Sequence, residues 1–216
     1  MLKTKPSKIP YIRDILASSK HLFLCLTETW LKEHHTEAEV NIVNYLTFRQ
    51  DRPIRTNKKK GRHIGGVSLY LRESWAPDAE PILKYSNTSV DILCVYIPSK
   101  NVLICVIYRQ PDDSTNGHPS TNKELTEILD KLKHTISQLS SPTPDIIIMG
   151  DFNFPHVLPD TWQNGLTKPG ISGDETNMIQ NMQTIVDEFF LEQLIDSSTH
   201  QNGNILDLIV TNNKWE

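Results

Sequence analysis

The stretch Asp145-Ile-Ile-Ile-Met-Gly-Asp-Phe-Asn153 decides the reading of this chain. Its β-branched run, Ile146 to Ile148, has the pattern of a strand buried on both faces. It stops at Gly150, which lets the backbone turn or come close to another group. Asp151 and Asn153 follow at once, so a carboxylate and an amide stand at the mouth of a rigid strand, where α/β proteins place their sites. A single Asp after an apolar strand is more often a turn or capping residue. The functional reading therefore depends on other strands delivering matching groups.

Working outward, four more segments have the same design or complement it. His21 to Trp30 is an apolar strand ending in Thr27, Glu28 and Thr29, and a carboxylate there calls for a metal or a cationic partner. Val90 to Ile97 and Val102 to Tyr108 are strands joined by Pro98-Ser-Lys-Asn101, a four-residue hairpin signal. The second ends in Tyr108-Arg109-Gln110-Pro111. Asn204 to Thr211 is a strand carrying Asp207 among apolar neighbours, where an internal carboxylate needs a partner.

Helices fall between these strands. Ser7 can cap a helix to Ser18 with the stripe Ile9, Ile12, Ile15 and Leu16, and Pro10 falls in its tolerant first turn. Thr121 and Glu124 have capping-box spacing ahead of Leu125, Ile128, Leu129, Leu132, Ile136 and Leu139. Asp174 to Leu194 predicts a third helix with Met178, Met182, Ile185, Val186, Phe189 and Phe190 facing inward. Asp112 to Asn122 and Phe154 to Gly173 read as loops, the second long enough to suggest a functional role. Asn57 to His63 is a basic loop running through Gly65-Gly66 into the strand Val67 to Arg72. Its Lys58, Lys59, Lys60 and Arg62 are candidate phosphate contacts, against the plainer reading of a solvated loop.

Composition sets the outer limits. The 216 residues suit one domain spanning 1–216, with 38% hydrophobic and 22% charged residues, as in ordinary globular proteins. A formal net charge of −4 gives no overall attraction to nucleic acid, so any such binding must be local or metal-mediated. Cys25, Cys94 and Cys105 match no zinc spacing and make a poor disulfide framework, which points to free thiols in a reducing, intracellular setting. No apolar run approaches a membrane span, so no membrane partner is expected, and a monomer is.

Glu28, Tyr108, Asp151, Asn153 and Asp207 are oxygen donors without clustered His or Cys, which favours Mg²⁺ or Mn²⁺ over zinc. Such an ion would serve phosphodiester or phosphomonoester hydrolysis. Irregular alternation of strands and helices, with a hairpin, predicts mixed sheets covered by helices.

Thr27-Glu-Thr-Trp30, Gly65-Gly-Val-Ser-Leu-Tyr-Leu-Arg72, Tyr108-Arg-Gln-Pro111, Gly150-Asp-Phe-Asn153 and Ile205-Leu-Asp-Leu-Ile209 occur in one order. In that order they resemble the endonuclease/exonuclease/phosphatase superfamily, and within it the apurinic-like endonuclease domain of non-LTR (LINE-type) retrotransposons. The resemblance implies a four-layer α/β sandwich, two mixed sheets flanked by helices. It implies Glu28 as metal ligand, Tyr108 as active-site tyrosine, and Asp151 and Asn153 as the pair positioning water and phosphate. It further implies Asp207 as the buried carboxylate that orients a catalytic His, and Arg109 as a nucleic-acid contact. DNA is the implied substrate, the nucleus the place of action, and a reverse transcriptase domain the usual companion. The family's first Asn-bearing strand and its last Ser-Asp-His strand have no counterpart here, so the resemblance implies a domain trimmed at both ends. None of His21, His34, His35, His63, His118, His134, His156 or His200 stands in the place of the late His. Three readings stay open: a Mg²⁺-dependent DNA-nicking domain, impaired by the missing motifs; a catalytically inactive fragment of the same fold; and a phosphomonoesterase such as a phosphoinositide phosphatase.

Overall fold

Val90 to Ile97 and Val102 to Arg109 are apolar on both alternating sets of residues because both of their faces are covered. This computed structural model describes residues 8–52, 65–87, 89–111, 121–139, 142–154 and 173–213, with backbone alone for 121–122 and 173–178. In chain order the elements are α1 (Ile9–Ser18), β1 (Phe23–Leu26), α2 (Glu37–Val40), β2 (Tyr45–Gln50), β3 (Val67–Arg72) and β4 (Glu80–Ser86). They continue as β5 (Val90–Ile97), β6 (Val102–Arg109), α3 (Thr121–Ser137), β7 (Asp145–Asp151), α4 (Gly173–Glu188), β8 (Glu192–Gln193) and β9 (Asp207–Thr211).

The described strands form two sheets, a three-stranded one in the order β1-β3-β2 and a six-stranded one in the order β4-β5-β6-β7-β9-β8. The small sheet is antiparallel. The large one is mixed, its β6–β7 pair being parallel and the others antiparallel. Strand periodicity then sorts the side chains into layers. Leu69 and Leu71 of β3 meet Leu93 and Val95 of β5 and Ile104 and Val106 of β6 between the sheets. The alternate residues Ile92, Cys105, Ile107 and Ile148 face the other way and are sealed by Leu125, Ile128, Leu129 and Leu132 of α3 and Met182 and Ile185 of α4. On the far side of the small sheet, Ile9, Ile12 and Leu16 of α1 cover Tyr70. The result is the expected four-layer sandwich of helix, sheet, sheet and helices.

Two expectations about element ends need correction. The last helix stops at Glu188, not Leu194, and Phe190 is 85% exposed and not inward. Phe190 lies in the left-handed region at φ 54. Its N–H donates to the Asp187 carbonyl, and the Leu191 N–H donates to the Val186 carbonyl at 2.8 Å. This is a Schellman stop with phenylalanine at the position that favours glycine. Because the ring buries so little, Phe190→Gly should stabilise the fold by about 0.5–1 kcal/mol, read as a raised urea midpoint; an unchanged or lower midpoint would contradict this account. The last strand starts at Asp207, so Asn204 to Leu206 lie outside it. Ser7 and the side chains of Thr121 and Met178 lie outside the described residues.

Cys94 and Cys105 are buried register partners on β5 and β6, and all three cysteines are free. Burial pushes the Cys105 thiol well above its ordinary range, which keeps it unreactive. Among the described residues no helix is long and apolar enough to cross a membrane.

Candidate active site

Strand pairing sets one row of polar side chains across the mouth of the large sheet. Ser86 on β4 pairs with Asp91 on β5, Asp91 with Tyr108 on β6, Tyr108 with Asp151 on β7, and Asp151 with Asp207 on β9. Directly paired residues point to one face, and Tyr108 fixes that face as the one toward the small sheet. Glu28 comes from the opposite layer, two residues after β1. The Tyr108 hydroxyl donates to Glu28 Oε1 at 2.6 Å and so joins the sheets at the site. Glu28, Tyr108, Asp151 and Asp207, contributed by four strands or strand ends, are thus brought together.

Glu28 reaches this position through an unusual backbone. Glu28 and Trp30 have φ 50 and 55, which non-glycine residues rarely adopt. Two hydrogen bonds hold the turn, from Thr29 N–H to the Gly66 carbonyl at 3.1 Å and from Trp30 N–H to the Gly65 carbonyl at 3.0 Å. Only glycine suits the partner positions. A Cβ on Gly65 would lie 2.6 Å from the Arg52 guanidinium, and one on Gly66 2.6 Å from Thr29 Oγ1. The Gly65-Gly66 pair therefore does more than turn the chain: it seats the Glu28 loop.

The Asp151–Asn153 segment is pinned separately. Asn153, at φ 48, donates its backbone N–H to Asp151 Oδ1 at 3.1 Å. Its Nδ2 donates to the Arg109 carbonyl at 2.7 Å, and Arg109 Nη1 donates to the Asn153 carbonyl at 2.8 Å. Arg109 is fully buried and its guanidinium lies 5.6 Å from the Phe154 ring centroid. It does not lie on the surface, as the expectation of a nucleic-acid contact supposed. With Tyr108 facing the small sheet, strand alternation turns Arg109 to the helix-covered side, where it clamps the Asp-x-Asn turn.

Asp207 also departs from expectation. It is exposed, because it opens β9 and does not lie in its interior. Its N–H donates to Thr199 Oγ1, and among the described residues no histidine is hydrogen-bonded to it. Lys58, Lys59, Lys60 and Arg62 lie outside the described residues.

Charge is concentrated at the row. Burial first, then Asp207 and Glu28, raise the Asp151 carboxyl to about 7, partly offset by hydrogen bonds from Asn153. Burial, then the hydrogen bond and charge of Glu28, push the Tyr108 hydroxyl well above its ordinary value. The carboxylates repel one another, a mismatch that a divalent cation would relieve. Among the described residues no three His, Cys, Asp or Glu side chains form a closed metal cage. The oxygen donors instead suit an ion held by one or two carboxylates that keeps most of its own waters.

Sequence reading missed two residues. Arg52 Nε and Nη2 donate to Asp91 Oδ1 and Oδ2 at 3.1 and 2.8 Å, and both side chains are buried. Arg52 also lies 5.4 Å from the centroid of the Tyr108 ring. The available signal was Asp91 itself, a carboxylate inside the apolar run Val90 to Ile97 that required a partner.

Residues 102–216 match the family model described as endonuclease-reverse transcriptase, which carries the Tyr108, Asp151 and Asp207 strands. This chain belongs to the endonuclease-reverse transcriptase family. The solved structures place this family member in the endonuclease/exonuclease/phosphatase fold. The 3′ phosphatase NExo from Neisseria, bound to a product DNA hairpin, superposes with TM-score 0.59 at 13% identity, covering 94% of this chain and 81% of that one. The AP endonuclease LMAP from Leishmania major gives 0.57 at 15% identity, covering 93% and 72%. The human Nocturnin catalytic domain with bound sulfate gives 0.53 at 14% identity, covering 97% and 75%. No curated protein sequence matches this chain.

Proposed function

We propose that the site hydrolyses phosphodiester bonds in DNA, nicking one strand with the help of Mg²⁺ or Mn²⁺. The observation that carries this reading is the row Tyr108–Asp151–Asp207 facing Glu28, an acidic cluster where the two sheets meet, whose central carboxyl is raised by burial and by its acidic neighbours. Glu28 and Asp151 are the residues that would hold the ion. When bound, it would neutralise phosphate charge and lower the pKa of a coordinated water. Tyr108 fixes the Glu28 carboxylate through its hydroxyl. Asp151, ionised once the ion is bound, would also accept the proton of an attacking water at a carboxylate oxygen. Asn153 and Arg109 keep Asp151 in place. The basic segment Lys58, Lys59, Lys60 and Arg62 supplies the local attraction to the DNA backbone that a net charge of −4 does not. This reading places the protein with DNA and a reverse transcriptase in the nucleus, as a domain of retrotransposon origin.

A second reading, the same fold without turnover, is favoured by Asp207. It is exposed and, among the described residues, orients no histidine. Loss of an acid–base or charge-stabilising group of that kind costs about 10²–10⁴-fold in rate. Nicking of supercoiled plasmid by pure protein separates the two readings. Hydrolysis predicts Mg²⁺-dependent nicking that falls about 10²-fold or more in Asp151→Ala. Equal rates in the two proteins, or none in either, would remove the hydrolytic reading and leave the non-enzymatic one.

A further inference from the structure

The groups that touch Glu28 and Tyr108 form a closed circuit through the buried ion pair. Asp91 accepts from Arg52 through both carboxylate oxygens and from the Gly66 N–H at 2.8 Å. The Ser86 hydroxyl also donates to Asp91. Gly66 and Gly65 accept from Thr29 and Trp30, which fixes the backbone on the C-terminal side of Glu28. Glu28 accepts from Tyr108, Tyr108 lies beside Arg52, and Arg52 returns to Asp91. Arg52 Nη1 also donates to Gln110 Oε1 at 3.2 Å, tying the pair to the chain just after β6.

We infer that Arg52 and Asp91 are positioning residues, which set the left-handed Glu28 turn and the Tyr108 hydroxyl so that the Glu28 carboxylate is oriented for a divalent cation. The geometry gives each a separate task. Asp91 seats the glycine pair that holds the Glu28 loop from the small sheet. Arg52 packs against the Tyr108 ring, which reaches Glu28 from the large sheet. A planar fork is required, since both Arg52 nitrogens meet both Asp91 oxygens; lysine keeps the charge but offers a single ammonium. Partners that orient a metal-ligating carboxylate typically contribute 10–100-fold to metal affinity.

The inference rests on the proposed metal-assisted site, so its test has one arm that needs no metal. Tyrosine labelled with ¹³C at the ζ carbon reports the Tyr108 hydroxyl directly by NMR. Arg52→Lys and Asp91→Asn should each move the Tyr108 resonance, while Ile136→Val, a mild change in the helix-covered core, should leave it in place. Mn²⁺ titration by calorimetry should show affinity at least about tenfold weaker in Arg52→Lys than in wild type, with Ile136→Val unchanged. Where Asp91→Asn is too unstable for the titration, Arg52→Lys carries the result. An unmoved Tyr108 resonance in folded Arg52→Lys overturns the inference, as does unaltered Mn²⁺ affinity. A moved resonance in a protein whose wild type binds no Mn²⁺ would uphold the positioning of Tyr108, overturn the metal-orienting role, and count against the proposed function.

Discussion

Gly150→Ala should destabilise the protein by about 3–5 kcal/mol, or prevent its folding, while adding a single methyl group. Gly150 lies beside Ile107 in the parallel β6–β7 ladder, at φ 148. A Cβ built there falls 1.8 Å from the Ile107 carbonyl oxygen and 2.8 Å from its carbon. Both atoms belong to the backbone of a fully buried central strand, so no side chain can swing aside to make room. Relief requires moving β7 away from β6, which breaks ladder hydrogen bonds and opens the packing of Ile146 and Ile148 against the helices. The same movement separates Tyr108 from Asp151, since those register partners are the next pair along the ladder. Stability and site geometry therefore fail together. Denaturant unfolding beside Ile136→Val, an ordinary core truncation expected to cost about 0.5–1.5 kcal/mol, checks the claim. A Gly150→Ala loss no larger than that of Ile136→Val would show that the ladder shifts freely and that the close approach is unimportant.

Burial explains which parts of this architecture were readable from the chain. Ile146 to Ile148 and the β5 and β6 runs read correctly because covering both faces of a strand demands apolar side chains at every position. The stripe from Leu125 to Ile136 read correctly because one face of a helix must match one sheet. The strand-end groups Glu28, Tyr108 and Asp151 could be picked out singly, but their convergence depends on register between strands far apart in sequence. The burial of Arg109 was hidden for a related reason. Alternation tells that it opposes Tyr108, yet not which side of the sheet the helices cover. Phe190 failed because a left-handed helix stop without glycine leaves no local mark. Arg52 and Asp91 are 39 positions apart, and only the finished fold brings them into contact.

The Asp151 carboxyl should make the cation-free protein less stable as pH rises from about 4 to about 7, against the usual trend for an acidic side chain. Its carboxyl is raised from 3.8 to about 7 in the folded state, first by burial and then by Asp207 and Glu28. In the unfolded chain it ionises near its ordinary value. Below about pH 4 both states hold the proton, and the group contributes nothing. Between 4 and 7 the unfolded state releases the proton while the folded state keeps it, so stability falls with pH; above 7 the penalty is complete and constant. Full conversion of the shift gives about 4 kcal/mol, and water at the half-buried mouth of the site reduces this to about 2–3 kcal/mol. Asp151→Asn keeps an oxygen for the Asn153 N–H and removes the ionisation. Its stability should therefore match wild type in slope below pH 4, pull ahead through the window, and exceed wild type by that amount at pH 8. Mn²⁺ should narrow this gap at pH 8, because it favours the ionised carboxylate. At a concentration 100 times its Kd it would add about 2.7 kcal/mol to wild type, with a smaller gain for Asp151→Asn and for Glu28→Gln. Chemical unfolding at several pH values, with and without Mn²⁺, measures all of these terms. Parallel curves for wild type and Asp151→Asn from pH 4 to 8 would show that Asp151 carries no strained charge. Equal Mn²⁺ gains in wild type, Asp151→Asn and Glu28→Gln would place any bound cation away from these carboxylates.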